Sequence, residues 1–189
     1  MSHYNTIMHQ LLTLVPRHQF DKLAAGLDTD RYVKTFTTWN QFSTLLYAQA
    51  GGKQSLRDIQ NGLEAQGGKL YHLGLPEGVK RSTLSDANKN RTCAFFENLF
   101  YAMVERCKDV TPKHKFRFKN PLYAFDATTI SLCLEAFPWG KFKAAKGAIK
   151  LHCQLDYEGN LPCFVAATDG KCSDIRAAKH FLAVKNSHP

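Results

Sequence analysis

The fold is decided at residues 122–132, which read LYAFDATTISL. Apolar and β-branched residues dominate this run, which is typical of a strand buried in a sheet. Asp126 lies alone within it, and a buried carboxylate is costly unless a positive charge compensates it. A divalent metal ion bound by several carboxylates is one such compensation. The alternative is an aspartate at a strand edge or bulge, solvated or hydrogen-bonded to Thr128 or Thr129.

From about residue 120 onwards, the sequence pattern changes from the period of a helix to that of extended strands. The pattern predicts strands at 122–134, 147–156 and 161–168, with a hairpin turn at 156–160 between the last two. A helix is predicted from Ser173 or Asp174 to Val184, with Asp174 near its N-terminus. Because three strands and one helix bury little surface, we expect the front of an α/β domain, not a complete one.

The N-terminal part of the chain has a helical period interrupted by glycine-rich breaks. Helices are predicted at 4–14, 18–27, 39–50, 56–65 and 86–108. Ser55 is placed to cap the fourth helix, and Ser82, Thr83 or Ser85 to cap the fifth. We therefore expect an α+β protein, with an all-helical domain at 1–110 and a second domain at 111–189.

Charge favours a polyanionic partner. The 189 residues carry a formal net charge of +9, and residues 111–189 hold 12 Lys and Arg against 6 Asp and Glu. Nucleic acid is the simplest such partner, although an incidental excess of charge is the alternative. The six cysteines form no CxxC pair, which favours reduced thiols in a cytosolic protein. No apolar stretch approaches membrane-spanning length, so no membrane association is expected.

Two basic, aromatic-rich clusters lie on either side of Asp126 in the sequence. The first contains Lys115, Arg117 and Lys119, which would share one face of an extended segment while the intervening phenylalanines share the other. The second contains Lys141, Lys143, Lys146 and Lys150. Both clusters are candidates to contact DNA phosphates, and a solvated loop is the alternative for each.

The helical pair at 55–65 and 82–108 is a further candidate for contacting DNA. A capped short helix followed by a second capped helix resembles a helix-turn-helix arrangement, and Asn and Arg side chains suit base edges and phosphates. The residues in question are Arg57, Lys89, Asn90 and Arg91. A plain helical bundle is the alternative, because the connecting loop at 66–81 is long for such a motif. His152, Asp169 and Asp174 are interpreted as structural.

Three stretches of this chain resemble insertion-sequence transposases of the IS4 family. They are residues 55–59 (SLRDI), 82–91 (STLSDANKNR) and 123–130 (YAFDATTI). The resemblance implies a helical DNA-binding domain of the DUF4372 type at 1–110. It also implies, at 111–189, the first three strands and first helix of a DDE catalytic domain with the ribonuclease H-like fold.

The resemblance also implies a mechanism, in which two aspartates and a glutamate bind two magnesium ions. Water then attacks a phosphodiester at the end of the element, and the freed 3′-hydroxyl attacks target DNA. Asp126 matches the first aspartate, as catalytic residue and metal ligand. The partners implied are double-stranded DNA at the terminal repeats, a second copy of the chain or an intact transposase, in the bacterial cytoplasm and nucleoid.

The chain departs from the family pattern, because the second aspartate and the glutamate would lie beyond Pro189. One carboxylate cannot hold two metal ions in register. We therefore expect a truncated catalytic domain and no transposition by this polypeptide alone. An alternative function is a DNA-binding module without catalysis that modulates an intact transposase. A structural or interaction protein is the third hypothesis.

Overall fold

The computed structural model describes residues 7–73, 75, 78–111, 122–132, 141–143, 146–156 and 161–185. Its chain forms two compact units, Met1–Phe100 and Tyr101–Pro189. The division falls inside a helix, whereas the sequence-based domain boundary at 110/111 falls after it. The predicted α+β class is confirmed, because helices fill the first unit and a sheet with one following helix fills most of the second.

The first unit is built from helices. They are α1 (Ile7–Thr13), α2 (Arg17–Gly26), α3 (Thr38–Ala50), α4 (Leu56–Glu64), a 3-10 helix (Gly67–Leu73), α5 (Arg81–Asn90) and the start of α6 (Ala94–Val110). One group of apolar side chains forms its core between α3, α4 and α5, and it includes the fully buried Leu63 and Leu84. A second group is aromatic, where Phe20 contacts Trp39 and Phe95 edge-on at ring-centroid distances of 4.9 and 4.8 Å.

Local capping explains why α4 begins where the sequence predicts. The Ser55 hydroxyl accepts a hydrogen bond from the backbone N–H of Asp58 at 3.1 Å. The Asp58 carboxylate in turn accepts from the N–H of Gln54 at 3.1 Å. These two bonds satisfy amides that a helix start leaves without partners. The preceding helix ends at Gly51, and Gly52 follows with a φ of 60°, which glycine adopts at no steric cost.

The prediction of one long helix at 86–108 is wrong. α5 begins at Arg81, so the proposed caps Ser82, Thr83 and Ser85 lie inside it, and the residue that precedes it, Lys80, supplies no side-chain cap. The helix then ends at Arg91, whose backbone is extended with φ −81° and ψ 141°. α6 begins at Ala94, whose N–H donates to the Thr92 hydroxyl at 3.3 Å. The long-range contacts of the Arg91 side chain, described below, account for the break.

The second unit contains a four-stranded antiparallel sheet. Its strands are β1 (Tyr123–Leu132), β2 (Lys141–Lys143), β3 (Lys146–Asp156) and β4 (Leu161–Asp169), and α7 (Asp174–Lys185) follows. β3 pairs with each of the other strands. The three predicted strands and the final helix are confirmed within two residues at most ends, and β4 returns antiparallel to β3 as the predicted hairpin requires. The short β2 was not predicted. The hairpin turn at 157–160 lies outside the described residues.

The two faces of this sheet differ. α7 packs against β1, and its Asp174 carboxylate lies 3.2 Å from the ammonium of Lys150. His152 lies on the same face as Lys150, because side chains two residues apart in a strand share a face. Cys153 therefore lies on the opposite face, together with its cross-strand partner Asp126.

Candidate functional site

Asp126 lies near the middle of β1, directly opposite Cys153 of β3. It is exposed, as are its same-face neighbours Ala124 and Thr128. The expectation of a buried carboxylate is therefore wrong for the described residues. Its charge is solvated, so the strand requires no cation to offset a desolvation cost. The Asp126 Oδ1 atom accepts a hydrogen bond from the N–H of Ala127 at 2.8 Å, and not from either threonine that the sequence suggested.

The carboxylate of Asp126 affects the pKa of the Cys153 thiol. Partial burial raises the pKa of Cys153, and the negative charge of Asp126 raises it further. Both effects disfavour the thiolate, the first by desolvation and the second by repulsion between like charges. The pair therefore presents one carboxylate beside a protonated thiol at neutral pH.

This donor set does not fit two magnesium ions. Magnesium requires hard oxygen ligands in near-octahedral geometry, and a thiol is a poor ligand for it. Within the ranges that the structure describes, no group of three or more His, Cys, Asp or Glu side chains is placed to hold a metal ion. Asp126 can thus be one ligand of such a site, and further carboxylates would have to come from outside these ranges.

His152 and Asp174 belong to the other face of the sheet. The His152 ring is fully buried, with Nε2 2.8 Å from the Thr168 hydroxyl and Nδ1 3.7 Å from Asp174 Oδ1. Phe125 stacks on this ring at a centroid distance of 5.6 Å. Asp174 of α7 therefore contacts both His152 and Lys150 of β3, which agrees with the structural interpretation of His152 and Asp174 made from the sequence. His152 and Asp174 therefore lie on the opposite side of the sheet from the Asp126 side chain.

Asp169 closes the turn between β4 and α7. Its Oδ1 atom accepts hydrogen bonds from the backbone N–H groups of Lys171 and Cys172 at 3.1 and 2.9 Å. It pairs with Ile149 of β3, four residues from Cys153 along that strand, or about 13 Å at the usual strand rise. Asp169 therefore does not join Asp126 in a common site.

The predicted DNA-contacting residues lie in four different environments, the last of which is that of Arg91. Arg57 on α4 and Lys89 and Asn90 on α5 are exposed, and their side chains can reach a ligand in solvent. The basic residues of the second cluster lie on two paired strands, Lys141 and Lys143 on β2 and Lys146 and Lys150 on β3. Of these, Lys150 is paired with Asp174. The residues of the first cluster lie outside the described part of the chain; they are Lys115, Arg117 and Lys119.

Arg91 has a different environment from the exposed DNA contact that the sequence suggested. Its side chain is only 8% exposed, and its guanidinium donates to the backbone oxygen of Phe36 and, at 3.0 Å, to the side-chain oxygen of Gln41. Longer contacts join it to Thr29 O at 3.3 Å and to Asp30 Oδ1 at 3.4 Å. Burial lowers the pKa of Arg91, and the nearby Asp30 carboxylate offsets part of that effect. These bonds hold α5 against the segment that precedes α3.

Two basic residues that the sequence interpretation omitted lie beside Arg57. Lys80 and Arg81 are adjacent at the start of α5, and together with Arg57 they line one open groove. In the sequence, the signal for these contacts is the pair of consecutive cations Lys80 and Arg81. The predicted helix began five residues later, which left both cations in a loop.

Comparison with known proteins adds the following. Residues 3–76 match the family model described as "Domain of unknown function (DUF4372)". Over 170 residues the chain is 26% identical to the "Probable transposase for insertion sequence element IS5377" of Geobacillus stearothermophilus. That alignment covers 90% of this chain and 43% of the relative, so the chain spans less than half the length of the protein it matches. No solved structure matches. Among the described helices, none has the length and apolarity needed to cross a membrane.

Proposed function

We propose that these 189 residues supply the DNA-binding helices and the first catalytic carboxylate of an insertion-sequence transposase. The observation that carries the proposal is the similarity to a probable transposase over 90% of the chain, which spans both structural units. The basic net charge of +9 is consistent with a DNA partner.

Asp126 is the catalytic residue of this proposal. The continuous β1–β3 ladder, from Tyr123 opposite Asp156 to Leu132 opposite Gly147, holds it on a rigid element, and rigid elements position reacting groups better than loops do. Its exposed carboxylate can receive further ligands or substrate on the face opposite α7. Within the proposal, the metal-dependent DDE chemistry is completed by carboxylates outside the described ranges.

The proposal also assigns the fold of the second unit, the transposase family, the substrate and the protein partner. An antiparallel run of strands, followed by a helix packed against the first strand, is the element order expected at the front of a ribonuclease H-like domain. Assignment to the IS4 family rests on the three stretches quoted above. Double-stranded DNA at terminal repeats is the proposed substrate, with a second copy or a longer transposase as protein partner, in the bacterial cytoplasm and nucleoid.

Selection of DNA by the purified chain tests the binding part of this proposal. A library of duplexes with a randomised central segment is incubated with the protein at about 150 mM salt, and the bound fraction is amplified and sequenced over several rounds. We expect enrichment of one consensus sequence, because a terminal-repeat binder must distinguish its site from bulk DNA. Enrichment of no sequence would contradict the proposal.

A cleavage assay tests the catalytic part. The selected duplex is incubated with the 189-residue polypeptide and magnesium, and strand nicking is followed on a denaturing gel. We expect no nicking, because one carboxylate does not hold two ions. Magnesium-dependent nicking that Asp126→Ala abolishes would show that the chain contains a sufficient site. In a longer transposase carrying this segment, the same substitution is expected to abolish cleavage and leave DNA binding intact.

A second candidate function is a DNA-binding module that does not perform catalysis. It is favoured by the separate core of the first unit, and by the single carboxylate presented beside Cys153. Such a module would compete with a longer transposase for the same DNA. Adding the chain to a cleavage reaction of that transposase should then lower the rate in proportion to site occupancy. An unchanged rate at full occupancy would reject this candidate.

A further inference from the structure

The first unit has an open groove of about 460 Å³ between α4 and the start of α5. Three cations line it: Arg57 from α4, and Lys80 and Arg81 from the N-terminus of α5. The remaining lining residues are uncharged, namely Gln60, Asn61 and Ser82. The groove therefore combines a concave shape with one sign of charge and neutral hydrogen-bonding groups.

These cations are not neutralised within the described part of the first unit. The ion pairs found there involve other cations, such as Arg17 with Asp21 and Arg91 with Asp30, and none involves a cation of the groove. α4 carries two acids: Asp58 lies 3.8 Å from the ammonium of Lys53, and Glu64 accepts a hydrogen bond from Gln60 at 2.8 Å. Three like charges that line one concavity repel each other. An anion that enters the groove reduces this repulsion, which isolated surface cations do not experience.

The backbone of α5 adds to the positive electrostatic potential of the groove. Lys80, which precedes this helix, supplies no side-chain cap, and the first turn contains no acidic residue. The N–H of Arg81 is satisfied by the Gln60 side chain at 2.8 Å, which also fixes α4 against the start of α5. The positive end of the α5 dipole thus opens into a groove that three side-chain cations already make attractive to anions.

The exposed side of α5 continues from the groove towards its C-terminal end. At 100° per residue, Arg81, Ser82, Ser85 and Lys89 lie within an arc of about 100°, and all four are exposed. Lys89 lies eight residues from Arg81, or about 12 Å along the helix axis. That spacing is close to the width of the DNA major groove, about 12 Å.

We propose that the groove lined by Arg57, Lys80 and Arg81 binds the phosphate backbone of a DNA duplex, and that α5 crosses the adjacent major groove so that Lys89 meets the opposite strand. This inference rests on the proposed DNA-binding function and assigns it to one surface. The hydroxyls of Ser82 and Ser85 lie between the two backbone contacts and face the base edges. Arg91 does not take part.

Salt dependence of binding tests the assignment. The probe is a 30-base-pair mixed-sequence duplex, and affinity is measured by fluorescence anisotropy between about 50 and 250 mM salt. Each phosphate contact contributes a slope of about −0.9 in the logarithm of affinity against the logarithm of salt concentration. The double variant Lys80→Ala/Arg81→Ala should therefore flatten the slope by about two, and Lys89→Ala by about one.

The matched control is the double variant Lys22→Ala/Lys34→Ala. Lys22 and Lys34 are also exposed cations of the first unit, so the control changes net charge equally but leaves the groove intact. It should retain the parental slope. Melting temperatures of all variants should equal that of the parent, because the altered side chains are exposed and the Gln60 bond uses the backbone of Arg81.

The outcomes separate this inference from the proposed function. Duplex binding in which the groove variant keeps the parental slope, or flattens it no more than the control does, would overturn the surface assignment and leave DNA binding standing. Absence of duplex binding at 50 mM salt would overturn both. A flattened slope confined to the groove variant and Lys89→Ala supports both.

Discussion

Replacing Arg91 with methionine should destabilise the first unit strongly. Methionine retains an unbranched, apolar side chain but removes the guanidinium, so Phe36 O and Gln41 Oε1 lose their donor. Gln41 is only 1% exposed, and a buried acceptor without a partner costs about 1–3 kcal/mol. Two such acceptors give about 2–6 kcal/mol.

The lower half of that range applies for two reasons. The Asp30 side chain is already 38% exposed, so water can hydrate it once the guanidinium is gone. Removing the guanidinium also ends its own desolvation cost, the cause of its lowered pKa. We expect a loss of about 3 kcal/mol in the free energy of unfolding. For a unit of about 100 residues this corresponds to a fall in melting temperature of about 12–24 °C.

Tryptophan fluorescence during thermal unfolding measures this change. In a Trp139→Phe background the signal comes from Trp39, which packs against Phe20 in the same unit. The control is Arg57→Met, the same chemical change at an exposed site, which should alter stability by less than about 0.5 kcal/mol. If Arg91→Met melts with the parent but loses DNA affinity, Arg91 is an exposed DNA contact and its burial here is wrong.

Three further predictions concern other parts of the chain. Asp126→Asn should lower the pKa of Cys153 and speed its alkylation at pH 8 about fourfold, as expected for charges about 5 Å apart in water; a rate unchanged in site-resolved mass spectrometry would place the two side chains apart. Ser55→Ala should cost about 1 kcal/mol through loss of the α4 cap, with Ser55→Thr as a milder control; equal urea midpoints for the alanine variant and the parent would show that the cap is dispensable. Leu63→Ala should cost about 3 kcal/mol as a buried cavity, whereas a loss below 1 kcal/mol would show that Leu63 is not packed in the core.

Much of the fold could be predicted from the sequence because it depends on neighbours within a few residues. The Ser55 cap, the glycine stop at Gly51 and Gly52, and the three long strands all follow from periodicity and turn chemistry. The helix break at Arg91 could not be found this way. It depends on acceptors that lie some 50–60 residues earlier in the chain.

The candidate site also combines features that local sequence predicts with features that depend on distant segments. The sequence identified Asp126 as an unusual acid in an apolar strand, and it identified Arg57 as a basic residue on a short helix. It also counted Arg91 among the exposed cations, and it left Lys80 and Arg81 in a loop. A helix start whose preceding residue supplies no side-chain cap, such as that of α5, has no strong local signal. This error hid the grouping of Lys80 and Arg81 with Arg57.

The sequence was sufficient to predict the first four helices, the three long strands and the basic character of the chain, because these are properties of local pattern and composition. Only the tertiary structure decided which charges face solvent. It buried Arg91 among distant backbone oxygens, exposed Asp126 on the open face of the sheet, and gathered three cations from two helices into one groove. Burial and grouping depend on packing between segments far apart in the chain, and short sequence windows do not contain that information.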